Sequence, residues 1–383
     1  MAKKKTKEVS EEVSEESKDE AKLLADALGC IDKLNPDATE LSEESLSNVN
    51  DWIDTGCYSL NAIISGSVFG GIPVGRITGI IGLSGTGKTL IMNKIMANAI
   101  RKSYRPIYFD SESALDKMTA ERLGCDVSTI KHVPIETIED CKHQIITLLS
   151  KLIDANLKKK VIIFIDSLGN LVTRKEIEDS IENSGATDMG SKAKILGSMI
   201  RQMTHKAAKS EVPIIFSNHI IGNPAEKYPT LVKQQPGGFK CTYLPSVVLQ
   251  LSTTNEKIED AEDDAIISKL SESVAGVNLR ALITKNRFAP PFIETTMKLN
   301  YKTGLSKYIG LLEMAKSCGL FTKTGNQYVL DGKTVGYAKN FQDSAEFWEN
   351  GPLQQLDVLV KKELTYSNEN LITIQQEIVK QSV

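Results

Sequence analysis

The sequence predicts an α/β protein built on a twisted, mainly parallel, doubly wound sheet, and three observations predict it. Gly82-Leu83-Ser84-Gly85-Thr86-Gly87-Lys88-Thr89 is a complete G-x-x-x-x-G-K-[ST] phosphate loop. The apolar run Ile77-Thr78-Gly79-Ile80-Ile81 leads into it as a buried strand, and the stretch from Leu90 to Arg101 leads out as a helix. Beyond it, apolar runs alternate with helical periodicity, the pattern of a parallel sheet with ligands at the carboxyl ends of its strands.

Each part of the loop has a chemical task. Gly82, Gly85 and Gly87, with Ser84, Thr86 and Leu90, turn backbone N–H groups toward phosphate oxygens at a helix N-terminus. Lys88 supplies a mobile charge for the β- and γ-phosphates, and Thr89 a hydroxyl for Mg²⁺. Val161-Ile162-Ile163-Phe164-Ile165-Asp166 is a hydrophobic strand ending in a carboxylate. It delivers Asp166 beside the Mg²⁺ of ATP, through water, and beside Thr89.

Composition excludes other classes. Among 383 residues, 46 Lys and Arg face 49 Asp and Glu, so DNA contact must come from local patches. Six scattered cysteines without a C-x-x-C, and four histidines, argue against structural zinc and a disulfide framework and fit a reduced cytosolic compartment. No apolar run reaches about 18 residues, so neither export nor membrane insertion is expected.

Further strands and helices follow in order. Residues 1 to about 20 read as a disordered tail, and a helix begins near Ala21 through Leu23, Leu24, Leu28 and Ile31. It reads equally as an arm docking on a neighbouring subunit or as a packed helix behind a solvated tail. A linker runs to Asn50. Strands are expected at Pro106–Asp110, Lys160–Ile165, Val212–Ser217, Ser246–Leu251 and Val277–Thr284. Helices are expected at Leu115–Leu123, Ile138–Leu157, Met189–Lys209 and Gly304–Gly319. A hairpin turns at Asp331-Gly332, and helices follow near Ser344–Glu349 and Leu353–Leu364.

Two strand ends carry further chemistry. Glu112, just past Asp110, is placed to orient and deprotonate a water in line with a γ-phosphate, or to cap the next helix. His219 follows Phe216-Ser217-Asn218 and is either a γ-phosphate sensor or a packed imidazole. Two long loops follow, Val172 to Gly190 and Ile220 to Tyr243. Lys194 and Arg201, seven apart on a helix, read as phosphate contacts or as a solvated face.

Here the chain resembles the RecA-class recombinases, most closely the UvsX branch carried by tailed phages, from about Asp51 to Asn350. Tyr108-Phe109-Asp110-Ser111-Glu112-Ser113-Ala114-Leu115-Asp116 resembles the segment with the catalytic glutamate and an adenine-contacting aspartate, which assigns those roles to Glu112 and Asp116. Asp166-Ser167-Leu168-Gly169-Asn170-Leu171 and Phe216-Ser217-Asn218-His219 resemble the UvsX versions; RecA carries glutamine where His219 stands. The resemblance makes the two loops DNA-binding, with Met189, Gly190, Lys194, Arg201, Gly237 and Gly238 as contacts. The second loop departs from RecA in length and in carrying Ile221 where RecA has a basic residue. Thr284-Lys285-Asn286-Arg287 resembles a K-N-K segment whose cations reach a neighbour's ATP, so Lys285 and Arg287 inherit that role. Their i, i+2 spacing puts both on one face of a strand.

The domain map expected is a tail and linker at 1–50, a RecA-like P-loop ATPase core at 51–303, a small α/β C-terminal domain at 304–366 and a tail at 367–383. That tail lacks the acidic run common in the family, and 255–273 reads as a surface insertion. The activity implied is ATP hydrolysis by a DNA-dependent ATPase that forms a helical homo-oligomeric filament on single-stranded DNA and exchanges strands with double-stranded DNA. Its cofactors are ATP and Mg²⁺. A single-strand-binding protein and a loader are further partners, membrane is not, and the compartment is the cytoplasm, that of the host cell if phage-encoded. A ring-forming RecA-fold helicase motor and a nucleotide-gated DNA-binding mediator with little hydrolysis are the alternatives.

Overall fold

The computed structural model describes residues 20, 22–35, 37–39, 45–182, 189–220, 235–254, 276–300 and 304–364. The expected N-terminal tail, the 255–273 insertion, the 367–383 tail and the middles of both expected DNA loops (183–188 and 221–234, with Ile221 and Gly222-Asn223-Pro224) lie outside the described residues. The chain divides into two units, Met1–Val49 and Asn50–Val383. In the first, residues 22–34 form helix α1, with Leu23, Leu24, Leu28, Ile31 and Leu34 exposed.

The second unit is organised by a nine-stranded sheet. Its strands are β3 (Ile77–Gly82), β4 (Arg105–Asp110), β5 (Lys131–Pro134), β6 (Val161–Asp166), β7 (Ile214–Asn218), β8 (Val247–Thr254), β9 (Gly276–Lys285), β10 (Glu294–Asn300) and β11 (Gly304–Leu305). Their order is β11-β10-β9-β8-β3-β7-β6-β4-β5. From β8 to β5 neighbours run parallel, whereas β9, β10 and β11 add on antiparallel. A short antiparallel pair, β1 (Trp52–Ile53) with β2 (Ile72–Pro73), precedes β3.

The strand sequences explain their burial. In β6 Ile162 and Phe164 point to one apolar layer, and Val161, Ile163 and Ile165 to the other. A strand covered on both faces needs apolar side chains at every position, and all of β6 is buried. The first layer is closed by α2 (Tyr58–Ser65) and α3 (Lys88–Arg101), the second by α5 (Ile138–Asp154) and α7 (Met189–Ser210). In α5, Ile138, Cys141, Ile145, Leu149 and Leu152 recur at helical spacing and are buried, while the Thr137 hydroxyl caps the helix by accepting from the Asp140 N–H at 3.1 Å.

Three expectations are corrected. The loop after β6 contains a helix, α6 (Arg174–Ile181), begun by a capping box in which Thr173 and Glu176 satisfy each other's backbone N–H groups. The stretch from Gly304 to Gly319 is not one helix: it starts as β11, and α9 begins only at Leu311. Gly310, at φ +88°, sets that break, because a Cβ there would meet the Ser59 and Thr295 hydroxyl oxygens at 2.6 Å. Lys285 ends β9, so Arg287 lies beyond the strand rather than on its face.

The remaining C-terminal part carries a three-stranded antiparallel sheet of β12 (Thr322–Thr324), β13 (Gln327–Leu330) and β14 (Lys333–Gly336), with α10 (Ala345–Glu349) and α11 (Pro352–Leu364). Trp348 is fully buried there among Phe321, Tyr328, Phe341, Leu353 and Leu356, and Tyr58 and Ala62 of α2 join the same cluster. Among the described residues no helix is long and apolar enough to cross a membrane.

Gly79 of β3 faces the Phe216 ring of β7, and a Cβ there would lie 2.6 Å from it. Gly79→Ala is therefore expected to destabilise by about 1–3 kcal/mol through overpacking. Phe216→Leu should recover part of that loss in the double variant. Urea melts check both; strictly additive losses would show that the two side chains do not compete for this space.

Candidate nucleotide site and nucleic-acid face

Strand register decides which side chains meet. Asp110 of β4 pairs with Asp166 of β6, and Ile81 of β3 with Asn218 of β7, so these strands end level with one another. The residues just past those ends, Gly82–Thr89, Glu112, Ser167 and His219, therefore surround one crevice.

The phosphate loop has the conformation its glycines permit. Gly85 and Gly87 sit at φ +78° and +81°, where a side chain would strain the backbone. Lys88 is buried, and its Nζ donates to the carbonyls of Gly82 at 3.0 Å and Leu83 at 2.8 Å. Burial lowers its pKa, while the carboxylates of Glu112 and Asp166 favour its charged form. Among the described residues no His, Cys, Asp or Glu cluster makes an all-protein metal cage. The donor set suits Mg²⁺ bound together with phosphates, since one hydroxyl, Thr89, and one carboxylate, Asp166, stand at the mouth of a loop shaped for anions.

Asp166 is the hub. It is 1% exposed, yet its oxygens are satisfied: Thr89 Oγ1 donates to Oδ2 at 2.9 Å, Tyr108 OH donates to Oδ2 at 2.6 Å, and the Ser217 hydroxyl donates to Oδ1. Those donors come from α3, β4 and β7. Burial and the Asp166 charge push the Tyr108 phenol far above its ordinary pKa, so it remains a donor. Tyr108, Ser217 and Ser167 were missed in the sequence. Alternation was the available signal for Tyr108, which stands two residues before Asp110.

Glu112 and His219 are brought together. His219 Nε2 lies 3.0 Å from Glu112 Oε1, and the Ser167 hydroxyl donates to the same oxygen. Glu112 Oε2 has no partner among the described residues. Glu112 does not cap the next helix; Asp116 does, accepting from the Thr119 N–H at 2.8 Å at the start of α4 (Lys117–Arg122). Asp116 is otherwise exposed, at the rim of the same loop.

Asp110 shapes that loop. Its carboxylate accepts from the N–H groups of Glu112, Ala114 and Leu115 at 3.1, 3.2 and 3.2 Å and lies 3.0 Å from His132 Nε2. Burial would raise its pKa, but the hydrogen bonds from His132 and from the backbone of Leu115, Ala114 and Glu112 outweigh it and hold the carboxyl below its ordinary range.

The expected DNA residues share a second surface. Gly237 and Gly238 lie against α7, where a Cβ on Gly238 would meet the Ala193 Cβ at 3.3 Å and one on Gly237 the Leu196 Cδ1 at 2.9 Å. Lys194 and Arg201 are exposed on α7, with Met189 and Gly190 at its start. A short helix, α8 (Phe239–Tyr243), follows the glycines. The two surfaces are joined through Asn218: its side-chain oxygen accepts from the His219 N–H at 3.0 Å, and its amide donates to Gln235 Oε1 at 2.9 Å and to the Pro236 carbonyl at 3.1 Å.

Lys285 and Arg287 are not in the crevice. Lys285 pairs with Val248, which pairs with Gly79, about 10 Å along the sheet from Gly82 at the strand rise of about 3.3 Å per residue. Its Nζ donates to the carbonyls of Tyr243 and of Pro245, the latter at 2.5 Å, in the chain entering β8. Burial and then the Arg287 charge push its pKa down to about 8. Burial and the same Arg287 charge lower Arg76, just before β3. This cationic cluster sits at the amino end of the sheet, opposite the phosphate loop.

A carboxyl with a lowered folded pKa contributes stability above its ordinary value of about 3.9, and that stability is lost as pH falls through the lower folded value. Asp110→Asn is expected to remove this acid dependence. Urea midpoints of the wild type and the variant should converge as pH falls below the ordinary carboxyl value of about 3.9; a gap that stays constant on acidification would show that Asp110 carries no linked proton.

The chain matches the RecA N-terminal domain family over residues 22–306. It is 28% identical to Protein RecA of Aquifex aeolicus over 326 residues, covering 83% of this chain and 86% of the relative. It is 29% identical to Protein RecA of Thermus thermophilus over 326 residues, with 83% and 87% covered. Protein RecA of Nitratidesulfovibrio vulgaris is 28% identical over 306 residues, with 79% and 78% covered. A family match across most of the chain, joined to a phosphate loop, a buried strand-end carboxylate and a glutamate in one crevice, places this chain in the RecA family.

Proposed function

We propose that this chain is an ATP-dependent DNA recombinase that polymerises head to tail on single-stranded DNA, pairs it with a homologous duplex and hydrolyses ATP at its subunit interfaces. One observation carries the reading: the phosphate loop and the Lys285–Arg287 cations lie at opposite ends of one sheet. A protomer cannot bring its own two halves together. A neighbour stacked in the same orientation can, and a head-to-tail contact that does not close generates a helical filament.

In this reading Lys88 and the loop N–H groups hold the phosphates, and Asp116 contacts the adenine. Thr89, and Asp166 through water, would hold Mg²⁺, which supplies charge neutralisation on the phosphates when bound. Glu112 takes a proton from the attacking water with Oε2, the oxygen that Ser167 and His219 leave unengaged. Lys285 and Arg287 of the next subunit stabilise negative charge in the transition state. His219 stands between Glu112 and Asn218, so a shift of the second DNA loop bears on the catalytic carboxylate. Met189, Gly190, Lys194, Arg201, Gly237 and Gly238 contact the DNA backbone without reading bases.

Finer assignments belong to the same proposal. Residues 51–303 form the ATPase core and 304–366 a C-terminal domain that handles duplex DNA. The UvsX branch rests on Asp166–Leu171 and on His219. The compartment is the cytoplasm, and a single-strand-binding protein and a loader are partners.

Electron microscopy with single-stranded DNA and a slowly hydrolysed ATP analogue tests the function: long striated filaments are expected, whereas closed hexamers would identify a ring motor. Mixing tests the shared site. A Lys285→Ala/Arg287→Ala variant keeps its phosphate loop, and a Lys88→Ala variant keeps its trans cations. Each alone is expected to lose at least tenfold in DNA-dependent ATPase, about 1.4 kcal/mol of barrier or more, and the mixture to regain part of it. No recovery in variants that co-assemble on DNA would exclude a site shared between subunits.

A further inference from the structure

We propose that Lys240 is a phosphate-binding residue of the DNA face, laid across α7 over Gly197 so that its ammonium joins Lys194 and Arg201 in one basic stripe. This rests on reading the α7–α8 surface as DNA-contacting, and it adds a residue that the motif resemblance does not supply.

Helix geometry sets the stripe. Gly190, Lys194, Gly197 and Arg201 follow one another at i, i+4, i+7 and i+11, which keeps them on one side of α7. Gly197 stands between the two cations of this row, Lys194 and Arg201, and the structure shows what fills the gap. A Cβ built on Gly197 would lie 2.3 Å from Lys240 Cδ, 3.2 Å from its Cβ and 3.3 Å from its Cγ. The aliphatic stem of Lys240 thus lies on the helix where a side chain would stand, and its ammonium, two bonds beyond Cδ, is within reach of the row.

The stem is held from its own side too. Lys240 follows Gly237 and Gly238, which pack on Leu196 and Ala193 of α7, so α8 is anchored to the helix it crosses. A stem already lying on a surface loses little rotamer freedom on binding.

The cations are also uncommitted. Neighbouring basic residues are engaged within the chain: Lys192 with the Gly169 carbonyl at 3.1 Å, Lys206 with Ser150 Oγ at 2.8 Å, and Arg174 with Asp140. Lys194, Arg201 and Lys240 have no hydrogen-bond or carboxylate partner among the described residues. Like charges gathered on one helix face repel unless an anion lies along them. Cations spaced along a helix suit the repeated phosphates of a single strand and carry no base-reading group.

The test is the salt dependence of binding to a fluorescent oligo-dT, read by anisotropy with a slowly hydrolysed ATP analogue present. Each lost phosphate contact on a single strand lowers the magnitude of the log K against log salt slope by about 0.7 per bound protomer. Lys240→Ala is expected to show that loss, and Lys240→Arg to retain the wild-type slope. Gly197→Ala displaces the stem and is expected to weaken binding only while Lys240 is present, so the double variant should bind like Lys240→Ala alone. Lys240→Gln, which removes the charge but keeps side-chain atoms out to Cδ, serves if the alanine variant melts at a lower temperature. Wild-type binding with a steep slope that Lys240→Ala and Lys240→Gln leave unchanged overturns this assignment and spares the DNA-face reading. Wild-type protein that does not bind oligo-dT overturns both.

Discussion

A buried carboxylate holds the crevice together. Asp166 is removed from water at the end of β6, and an unsatisfied charge there would be strongly destabilising. Hydroxyl donors from Thr89, Tyr108 and Ser217 meet that demand, and each belongs to a different element. The phosphate-loop helix, β4 and β7 are therefore fixed to one atom group. Glu112 follows from the same constraint one residue outward, since Ser167, next to Asp166, donates to it. The parallel register makes this possible by ending β3, β4, β6 and β7 level.

How much of this was legible in the sequence depends on how local each signal was. The phosphate loop and the β6 run are local, and strand, loop and helix fall where residues 77–101 place them. The Thr173-x-x-Glu176 capping box was legible as well, but the expectation of a long loop concealed it. Gly310 carried the opposite signal: a glycine inside an apparent helix stood for a break forced by close approach to Ser59 and Thr295. β10 and β5 were missed because they are settled by pairing with β9 and β4, which a linear pattern does not contain. The Tyr108, Ser167 and Ser217 hydroxyls were missed for the same reason, since each acts through a residue distant in sequence.

The spacing of Lys285 and Arg287 was read as a strand face, yet the strand ends between them. What matters is their position at the amino end of the sheet, beside Arg76, where burial and the Arg287 charge lower the pKa of both Lys285 and Arg76. The protomer thus presents a phosphate cradle at one end and cations at the other. Asn218 adds a connection from the His219 backbone to Gln235 and Pro236, which lead into α8. In the proposed function, nucleotide, neighbour and DNA would all bear on a single glutamate.

The most direct measurement of that dependence is the rate of phosphate release per protomer, with saturating single-stranded DNA and ATP, as protein is diluted. An ATP site completed by a neighbour predicts a sigmoidal dependence, with the rate per protomer collapsing below the concentration at which filaments assemble. A rate per protomer that stays constant down to concentrations where light scattering shows only monomers would contradict the account, because one chain would then carry a complete catalytic site.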